Sequence, residues 1–244
     1  MENSPLIKRD GILNINKSSG WTSHDVVARI RNLSGIKKVG HTGTLDPMAT
    51  GVLPVCLGKG TKVVRYIQEF EKEYLAVARL GITTDTQDAS GKVIKHITDF
   101  DIKESEIKSL FEEFVGVIKQ IPPMYSAIKV KGVPLYKLAR SGKHIERKPR
   151  EVIIKSINII DIKDRDITFE VTCSKGTYIR TLCADIGERL KVGGHLYRLI
   201  RKRVGPFRYD NAITVNEVEK LVNDNRLDEK IYPLDKIWEL IIID

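Results

Sequence analysis

Strand-like and helix-like segments follow each other along this chain without a regular strand–helix–strand rhythm, and this restricts the folds open to it. Two long β-rich runs, Val152–Ile162 and Ile167–Cys173, are neighbours in the sequence. Several other strand-like segments adjoin possible hairpins, including one around Lys131-Gly132. This arrangement predicts an α+β fold around a mixed, mainly antiparallel sheet. No repeat or Pro/Ser-rich linker divides the 244 residues, so we expect a single domain over 1–244.

The beginning of the chain predicts a strand followed by a capped helix. Ile12–Asn16 alternates apolar and polar residues, as a strand with one buried face does. Thr22 and Asp25 have the spacing of a capping box, so a helix should begin near Thr22, and Gly35 should end it. The remaining patterns predict strands at Val52–Leu57, Tyr74–Leu80 and His195–Val204, and helices at Thr61–Phe70, after a Ser105 cap, at Gly176–Leu190 and at Thr214–Val222.

Basic residues are in excess and are concentrated in one segment. The chain has 41 Lys and Arg against 32 Asp and Glu, a formal charge of +9, and so favours a polyanionic partner such as nucleic acid. The segment Lys129–Arg150, called the basic segment below, holds one acid, Glu146. Such a window repels itself without a polyanion, so we predict a phosphate-contact surface. Its basic residues are Lys129, Lys131, Lys137, Arg140, Lys143, Arg147, Lys148 and Arg150, and a smaller group follows at Arg198, Arg201, Lys202 and Arg203.

The cysteines and the apolar runs indicate the compartment. Cys56, Cys173 and Cys183 have neither zinc-site spacing nor an even count, so we expect buried, reduced thiols. Met1–Asp10 lacks the apolar region of a signal peptide. No apolar run approaches the roughly 20 residues that span a bilayer. We therefore expect a soluble, cytoplasmic protein that does not enter a membrane.

The segment Gly40–Gly51 is rich in glycine and carries a carboxylate, Asp46, between Leu45 and Pro47. Its glycines and proline fix unusual backbone angles and allow another chain to come close. Taken alone, the pattern permits a turn in which Asp46 only caps its own loop. It also permits a phosphate-binding loop, although the Lys-Ser/Thr pair of a P-loop is missing.

A second segment, Ser174–Arg180, begins where a β-rich run ends and enters a predicted helix. Functional groups are common at such turns. Arg180 could hold a carboxylate with two hydrogen bonds, and Tyr178 could stack on a base. The alternative is that Arg180 is a surface residue and Tyr178 a core aromatic.

Together these segments resemble the TruB family of tRNA pseudouridine synthases. Gly40–Gly51 is similar to the catalytic motif of that family almost position for position, and the similarity continues through Gly58. Six ordered matches extend from Ile12 to about Arg203, and they favour a functional Asp46 over the turn-only interpretation. The other matches include Lys72–Tyr74, Leu80–Thr86, Gln120–Ala127 and Cys173–Thr181.

The resemblance implies the pseudouridine-synthase fold, with a central sheet flanked by helices and loops, and an enzyme that isomerises uridine 55 in the T-loop of tRNA. The base must be flipped out before any side chain can reach it. Carried over by position, the residues have these implied roles: Asp46 is the essential carboxylate, Tyr74 stacks on the target base, Arg180 pairs with the aspartate, His41 fills the space of the flipped nucleotide, and Lys17 supports the site.

The implied chemistry needs neither cofactor nor metal, because isomerisation consumes no redox equivalents. An arginine beside Asp46 would keep the carboxylate ionised. Asp46 then either attacks the sugar or base covalently or removes the 2′ proton of the sugar after the glycosidic bond loosens. The sequence leaves both routes open.

The chain departs from the family pattern at two places, and two alternative functions remain compatible with the sequence. Ser18 follows Lys17 where the family usually has proline, and this chain ends at Asp244 without the full C-terminal PUA domain usual in bacterial members. We therefore expect weaker tRNA binding or greater dependence on the basic segment, and the family suggests a monomer. The rivals are a non-catalytic chaperone of the tRNA T-arm and a guide-RNA-dependent relative of the enzyme.

Overall fold

The computed structural model describes residues 10–143 and 145–243, and only the backbone of 240–243. The expectation about a signal peptide concerns residues 1–10 and so lies almost wholly outside the described part. The chain forms two compact units. The first unit comprises the chain up to Tyr74 together with the chain from Ile200 onward, and the second comprises Leu75–Leu199.

Fourteen strands are present in the described residues. They are β1 (Gly11–Lys17), β2 (Val39–His41), β3 (Thr50–Leu57), β4 (Lys72–Leu80), β5 (Ile82–Thr84), β6 (Val93–His96), β7 (Gly116–Gln120), β8 (Lys129–Val130), β9 (Val133–Pro134), β10 (Arg150–Lys163), β11 (Asp166–Cys173), β12 (Gly194–Val204), β13 (Phe207–Arg208) and β14 (Ile231–Tyr232).

Seven α-helices accompany these strands in the same residues. They are α1 (Ser23–Ser34), α2 (Val64–Ile67), α3 (Glu104–Glu113), α4 (Leu135–Arg140), α5 (Ile179–Arg189), α6 (Val215–Asn223) and α7 (Leu234–Ile243). Short 3-10 turns cover Gly58–Val63, Tyr209–Asn211 and Leu227–Lys230.

The main sheet has the strand order β14-β1-β3-β12-β4-β11-β10-β7, with β2 beside β3 and β13 beside β12. β1 runs antiparallel to β3, from Gly11 opposite Leu57 to Lys17 opposite Gly51. β10 is antiparallel to both β11 and β7. β12 is parallel to β3, with Arg201 opposite Gly51. The predicted α+β class with a mixed, mainly antiparallel sheet is therefore confirmed.

The first unit is built around an apolar cluster between its strands and the C-terminal helix. β1 contributes Ile12, β3 contributes Val52 and Cys56, and α7 contributes Ile237, which is fully buried. The cluster contains Ile12, Val52, Cys56, Val63, Ile67, Val204, Phe207 and Ile237. The strands that carry the Asp46 segment are therefore anchored in a packed core.

In the second unit, α3 packs against β10 and against α5. Ile107, Leu110 and Phe111 lie at helical spacing on the buried side of α3. The ring of Phe111 meets Phe169 of β11 edge to face, with 5.2 Å between the ring centroids. The same helix, α3, also contacts α5, whose first turn carries Arg180.

Three predicted elements differ from the structure. Thr61–Phe70 is not one helix, because a 3-10 turn occupies Gly58–Val63 and leaves only the short α2. Ser105 is not a cap, since α3 begins at Glu104 after Lys103. The helix expected from Gly176 begins at Ile179, because Gly176 has a left-handed φ of 78° and belongs to the preceding turn.

The cysteine prediction is confirmed, since Cys56, Cys173 and Cys183 are buried and free. Within the described ranges, no helix has both the length and the apolar character needed to cross a membrane. The prediction of a single domain over 1–244 stays a prediction.

Candidate active site and RNA-contact surfaces

Asp46 lies in the first unit, on the loop that connects β2 to β3. The side chain is half-buried, whereas its neighbour Leu45 is 3% exposed and anchors the loop in the core. The Ala49 amide donates to the Asp46 carbonyl at 3.0 Å and closes a turn directly after the carboxylate. The loop therefore presents a carboxylate from a backbone that is fixed on both sides of it.

The first turn of α1 fixes the loop on the side before Asp46. Thr22 caps this helix in a reciprocal capping box with Asp25, as predicted. The hydroxyl of the next residue, Ser23, accepts from the Leu45 amide at 2.9 Å and donates to the Leu45 carbonyl at 3.2 Å. Both backbone groups of the residue before Asp46 are thereby satisfied by one buried side chain.

Lys17 fixes the loop on the side after Asp46. Its side chain is fully buried at the end of β1. The ammonium donates to the carbonyls of Ser18 at 3.0 Å, Trp21 at 2.8 Å and Pro47 at 3.2 Å. An ammonium group has three donors, so these contacts use all of them.

Burial and the Asp46 carboxylate act in opposite directions on the pKa of Lys17. Burial lowers the pKa of Lys17 from 10.5 to about 8, the positive charge of Arg201 lowers it further, and the nearby Asp46 carboxylate opposes the change. Attraction between two charges acts on both of them, so the Lys17 ammonium favours the ionised form of Asp46. The expected supporting role of Lys17 has this electrostatic part in addition to its hydrogen bonds.

His41, at the end of β2, is held as a neutral ring. Burial, with help from the charges of His24 and Arg201, lowers the pKa of His41 to about 4. The exposed His24 ring meets His41 edge to face, with 5.3 Å between centroids. His41 Nδ1 accepts from the Gly43 amide at 3.3 Å, which fits an unprotonated nitrogen.

Arg201 is a residue of this site that the sequence analysis did not identify. Its place in a run of basic residues suggested surface charge, yet it is 2% exposed. Its guanidinium donates to the carbonyls of Val52 at 2.7 Å and Gly43 at 3.1 Å. The burial arises from the pairing of β12 with β3, which no local sequence signal reveals.

Tyr74 lies on β4, at the end of the N-terminal segment of the first unit. Its side chain is 8% exposed, on the buried side of an alternating strand. The neighbouring Glu73 faces the other side and binds Arg203 at 3.1 Å. Arg203 is thus tied in an ion pair and is not a free surface charge.

Arg180 lies in the second unit, where it is buried rather than at the surface. It is 4% exposed. Its guanidinium donates to the carbonyls of Thr86 at 3.1 Å and Tyr125 at 2.9 Å, and lies 3.7 Å from Asp88. The alternative of a surface arginine is therefore wrong, while the pairing with Asp46 stays a prediction.

Asp88 is itself held in a network of short bonds in the loop between β5 and β6. Its carboxylate accepts from the Thr86 hydroxyl at 2.8 Å, and from the Ser90 amide at 3.0 Å and hydroxyl at 2.5 Å. Asp88 is 4% exposed, so the Arg180 guanidinium faces a buried carboxylate whose orientation is fixed.

Tyr178 is the residue that precedes α5, and Gln120 at the end of β7 fixes its backbone. The Gln120 side chain accepts from the Tyr178 amide at 3.0 Å and donates to its carbonyl at 3.2 Å. The Tyr178 ring is half-buried, and its predicted stacking role is untested.

The basic segment runs from β8 through α4 to the start of β10 in the second unit. Lys129, Lys143 and Arg150 are exposed, as a phosphate-contact surface requires. Arg147 differs, because it is half-buried and donates to the Pro122 carbonyl at 3.1 Å. Arg147 therefore also holds this segment against the backbone at Pro122.

Among the residues that the structure describes, no three His, Cys, Asp or Glu side chains form a group that could hold a metal ion. The expectation that the reaction uses no metal or cofactor stays a prediction.

Two family models match the chain in succession. The model of the TruB family pseudouridylate synthase N-terminal domain matches residues 31–179. The model of the tRNA pseudouridylate synthase B C-terminal domain matches residues 180–239. The first alone covers more than half of the chain and includes Asp46.

Curated relatives that share the name tRNA pseudouridine synthase B match nearly the whole chain. The tRNA pseudouridine synthase B of Geotalea uraniireducens (strain Rf4) is 49% identical over 223 residues, which is 91% of this chain and 72% of that protein. The protein of the same name from Clostridioides difficile (strain 630) is 48% identical over 230 residues, or 93% of this chain and 76% of that protein.

Solved structures agree in fold. A chain described as part of a Cbf5-Nop10-Gar1 complex is 34% identical with a TM-score of 0.73, and the match covers 93% of this chain and 60% of that one. An H/ACA RNP bound to a substrate RNA containing 2′-deoxyuridine matches at 31% identity and a TM-score of 0.71, with the same two coverages. Family models, curated relatives and fold thus agree that the chain belongs to the TruB family of pseudouridylate synthases.

Proposed function

We propose that this chain converts uridine 55 in the T-loop of tRNA to pseudouridine, with Asp46 as the essential carboxylate. The observation that carries the proposal is the support of the Asp46 loop from three sides by buried groups: Ser23 on Leu45, Lys17 on Pro47, and Arg201 on Gly43 and Val52. A loop that only caps a turn does not need two buried cations, because burying charge costs free energy.

The reaction breaks the bond between N1 of the uracil and C1′ of the ribose and makes a bond from C5 to C1′. The C5 hydrogen is lost as a proton and N1 gains one, so the change is an isomerisation. Positive charge from Lys17 favours an ionised Asp46, which either the covalent or the 2′-proton route requires.

Flipping the base provides access to the buried C1′ atom. In this proposal Tyr74 stacks on the flipped uracil, and His41 fills the space that the nucleotide leaves. A neutral imidazole suits that role, because a cation would bring an additional desolvation cost into the RNA stack.

In this function Arg180 pairs with Asp46. The residues that bind the substrate from the second unit are Tyr178, Lys129, Lys143, Arg147 and Arg150. The partner is the T-stem-loop of tRNA. We further propose a monomer that acts in the cytoplasm without cofactor or metal.

Tritium release from RNA with a 5-tritiated uridine tests the reaction and its site together. The substrate is an unmodified T-arm hairpin, and the control hairpin has cytidine at the position of uridine 55 and labelled uridines elsewhere. We expect release from the first hairpin only. Equal release from both would contradict the assigned position, and release from neither would contradict the reaction.

A second candidate is an enzyme that works only within a larger assembly. It is favoured by the likeness to structures described as a Cbf5-Nop10-Gar1 complex and an H/ACA RNP. Higher identity to proteins named tRNA pseudouridine synthase B opposes it. Turnover of the hairpin by the purified chain alone would exclude a required partner, whereas tight binding without turnover would favour this candidate or a chaperone.

A further inference from the structure

Arg201 is an unusual residue for its environment. Arginine is almost never fully buried unless it is paired, yet Arg201 is 2% exposed on β12. Among the residues that the structure describes, its hydrogen-bond acceptors are two neutral backbone carbonyls, those of Gly43 and Val52. Its charge is therefore buried against the loop that carries Asp46. Because burying a charge costs free energy, we expect this arrangement to serve a function.

The two acceptors bracket the Asp46 segment. Gly43 lies three residues before Asp46, and Val52 lies six residues after it, inside β3. The planar guanidinium presents its donors in a rigid fork, so one side chain fixes the distance between the two ends of the loop. Lys17 holds the middle of the same loop through the Pro47 carbonyl.

The backbone around Arg201 is equally constrained. β12 lies parallel to β3 with Arg201 opposite Gly51. Gly51 has φ of 102°, and a Cβ atom there would lie 2.3 Å from the Arg201 carbonyl oxygen. Glycine at 51 thus permits β12 to come close to β3, and the guanidinium of Arg201 then reaches the carbonyls of Gly43 and Val52.

The charge of Arg201 also reaches the groups around Asp46. It is among the causes that lower the pKa values of Lys17 and His41. Arg201 therefore acts on the loop in two ways, through the hydrogen bonds that set its shape and through the positive potential at its inner side.

We propose that Arg201 is a positioning residue for Asp46, which holds both ends of the Asp46 loop and so places the carboxylate for reaction. The inference rests on the proposed function. Its consequence is a loss of kcat with little change in RNA affinity, because Arg201 is buried and acts on the substrate only through Asp46.

The test compares Arg201→Lys with Arg29→Lys, a matched control on α1 whose arginine binds Glu219 at 2.7 Å in the same unit. Lysine keeps the charge but cannot reproduce the two-pronged contact. Tritium release gives kcat and KM, filter binding gives Kd, and thermal unfolding gives Tm. For Arg201→Lys we expect kcat at least about ten-fold lower, since misplacement by about 1 Å costs up to about 100-fold, with an unchanged Kd.

A further variant, Arg201→Met, separates charge from shape. Removing the charge should raise the pKa of His41, measured by NMR titration of the ring, whereas Arg201→Lys should leave it near the wild-type value. A purely structural role would not predict this difference.

The outcomes are distinct. Wild type without activity on any hairpin would refute the proposed function itself. Active wild type with kcat of Arg201→Lys within about two-fold of Arg29→Lys would overturn the role of Arg201 alone. Failure of Arg201→Lys to fold while Arg29→Lys folds would also overturn it, because Arg201 would then serve folding and not positioning.

Discussion

At the scale of single residues, the Asp46 loop depends on an ammonium group that titrates close to neutral pH. The pKa of Lys17 is lowered to about 8, chiefly by burial. Raising the pH through 8 removes one of its donors while three carbonyls still need one, and it removes the positive charge of Lys17 itself. The site should therefore change its properties over a narrow pH range.

We predict that above pH 8 the activity falls while the contribution of Lys17 to the free energy of unfolding rises. The unfolded chain keeps the Lys17 proton up to its ordinary pKa of 10.5. Between these two values the unfolded state binds more protons, so the contribution of Lys17 to the free energy of unfolding increases with pH. A pH series of kcat and of urea unfolding measures both, with Lys17→Met as the variant that should lose this stability change. A constant kcat well above pH 8 would contradict the prediction.

Asp88 is the second residue whose replacement has a clear expected effect. Asp88→Asn removes the charge facing the buried Arg180 guanidinium and weakens the bonds from Thr86 and Ser90. We expect a loss of about 2 kcal/mol or more of stability, together with a lower kcat if Arg180 serves the reaction. Chemical denaturation and tritium release measure the two effects.

The matched control for that variant is Asp85→Asn in the same loop. Asp85 is exposed, and within the described part of the chain its side chain accepts a single hydrogen bond, from the Lys92 amide at 2.8 Å. Its replacement should change stability by less than about 1 kcal/mol. Equal effects of the two variants would show that the loop, and not the buried pair, determines the result.

At the scale of elements, α1 both folds by its own signals and supports the site. Its capping box was predictable from Thr22 and Asp25, because such bonds form within four residues. The contact of Ser23 with Leu45 was not predictable, since it joins residues 22 apart. The sequence indicated where the helix begins and not what its first turn holds.

We predict that Ser23→Ala and Thr22→Ala separate stability from catalysis. Ser23→Ala leaves the Leu45 amide without its buried acceptor, which should cost about 1–3 kcal/mol and lower kcat. Thr22→Ala removes the cap, which should cost about 1 kcal/mol and leave kcat unchanged. Thermal unfolding and single-turnover tritium release measure them, and a kcat loss of equal size in both variants would refute the distinction.

The basic segment is the element expected to bind phosphates. Reversing Lys143, Arg147 and Arg150 to glutamate should weaken hairpin binding and flatten the dependence of log Kd on log salt by up to about 2–3. Reversal of Lys59, Lys108 and Arg226, which bind acids elsewhere, is the control with the same charge change. Equal losses from both sets would mean that overall charge, and not this segment, determines affinity.

At the scale of the whole molecule, local signals identified most elements, and non-local pairing decided the rest. The alternation in β1 and β4 and the stripe on α3 were visible because burial repeats along a strand or helix. Gly58 and Gly60, by contrast, lie where Cβ atoms would collide with Asp10 and Gly11, so this stretch packs closely against a distant part of the chain. A 3-10 turn occupies Gly58–Val63, where the local pattern predicted a helix from Thr61. Arg201 was overlooked for the same reason, since only its pairing with β3 buries it.

The site was predictable to the extent that its residues are neighbours in a motif. His41 and Asp46 lie in one segment, and the family resemblance indicated their roles. The buried contacts of Arg180 with Thr86 and Tyr125 join parts of the chain that are far apart in sequence. Such contacts follow from the three-dimensional fold. Local patterns in one sequence predict the class of that fold, but not which distant residues meet in it.

If the Asp46 carboxylate performs the reaction, the variant Asp46→Asn should fold and bind RNA without turning it over. The amide has nearly the same shape but neither the charge nor the basicity that both routes require. Tritium release from the T-arm hairpin should be abolished, while Tm and hairpin Kd stay at the wild-type values. Appreciable tritium release by Asp46→Asn would show that the Asp46 carboxylate is not essential for the reaction.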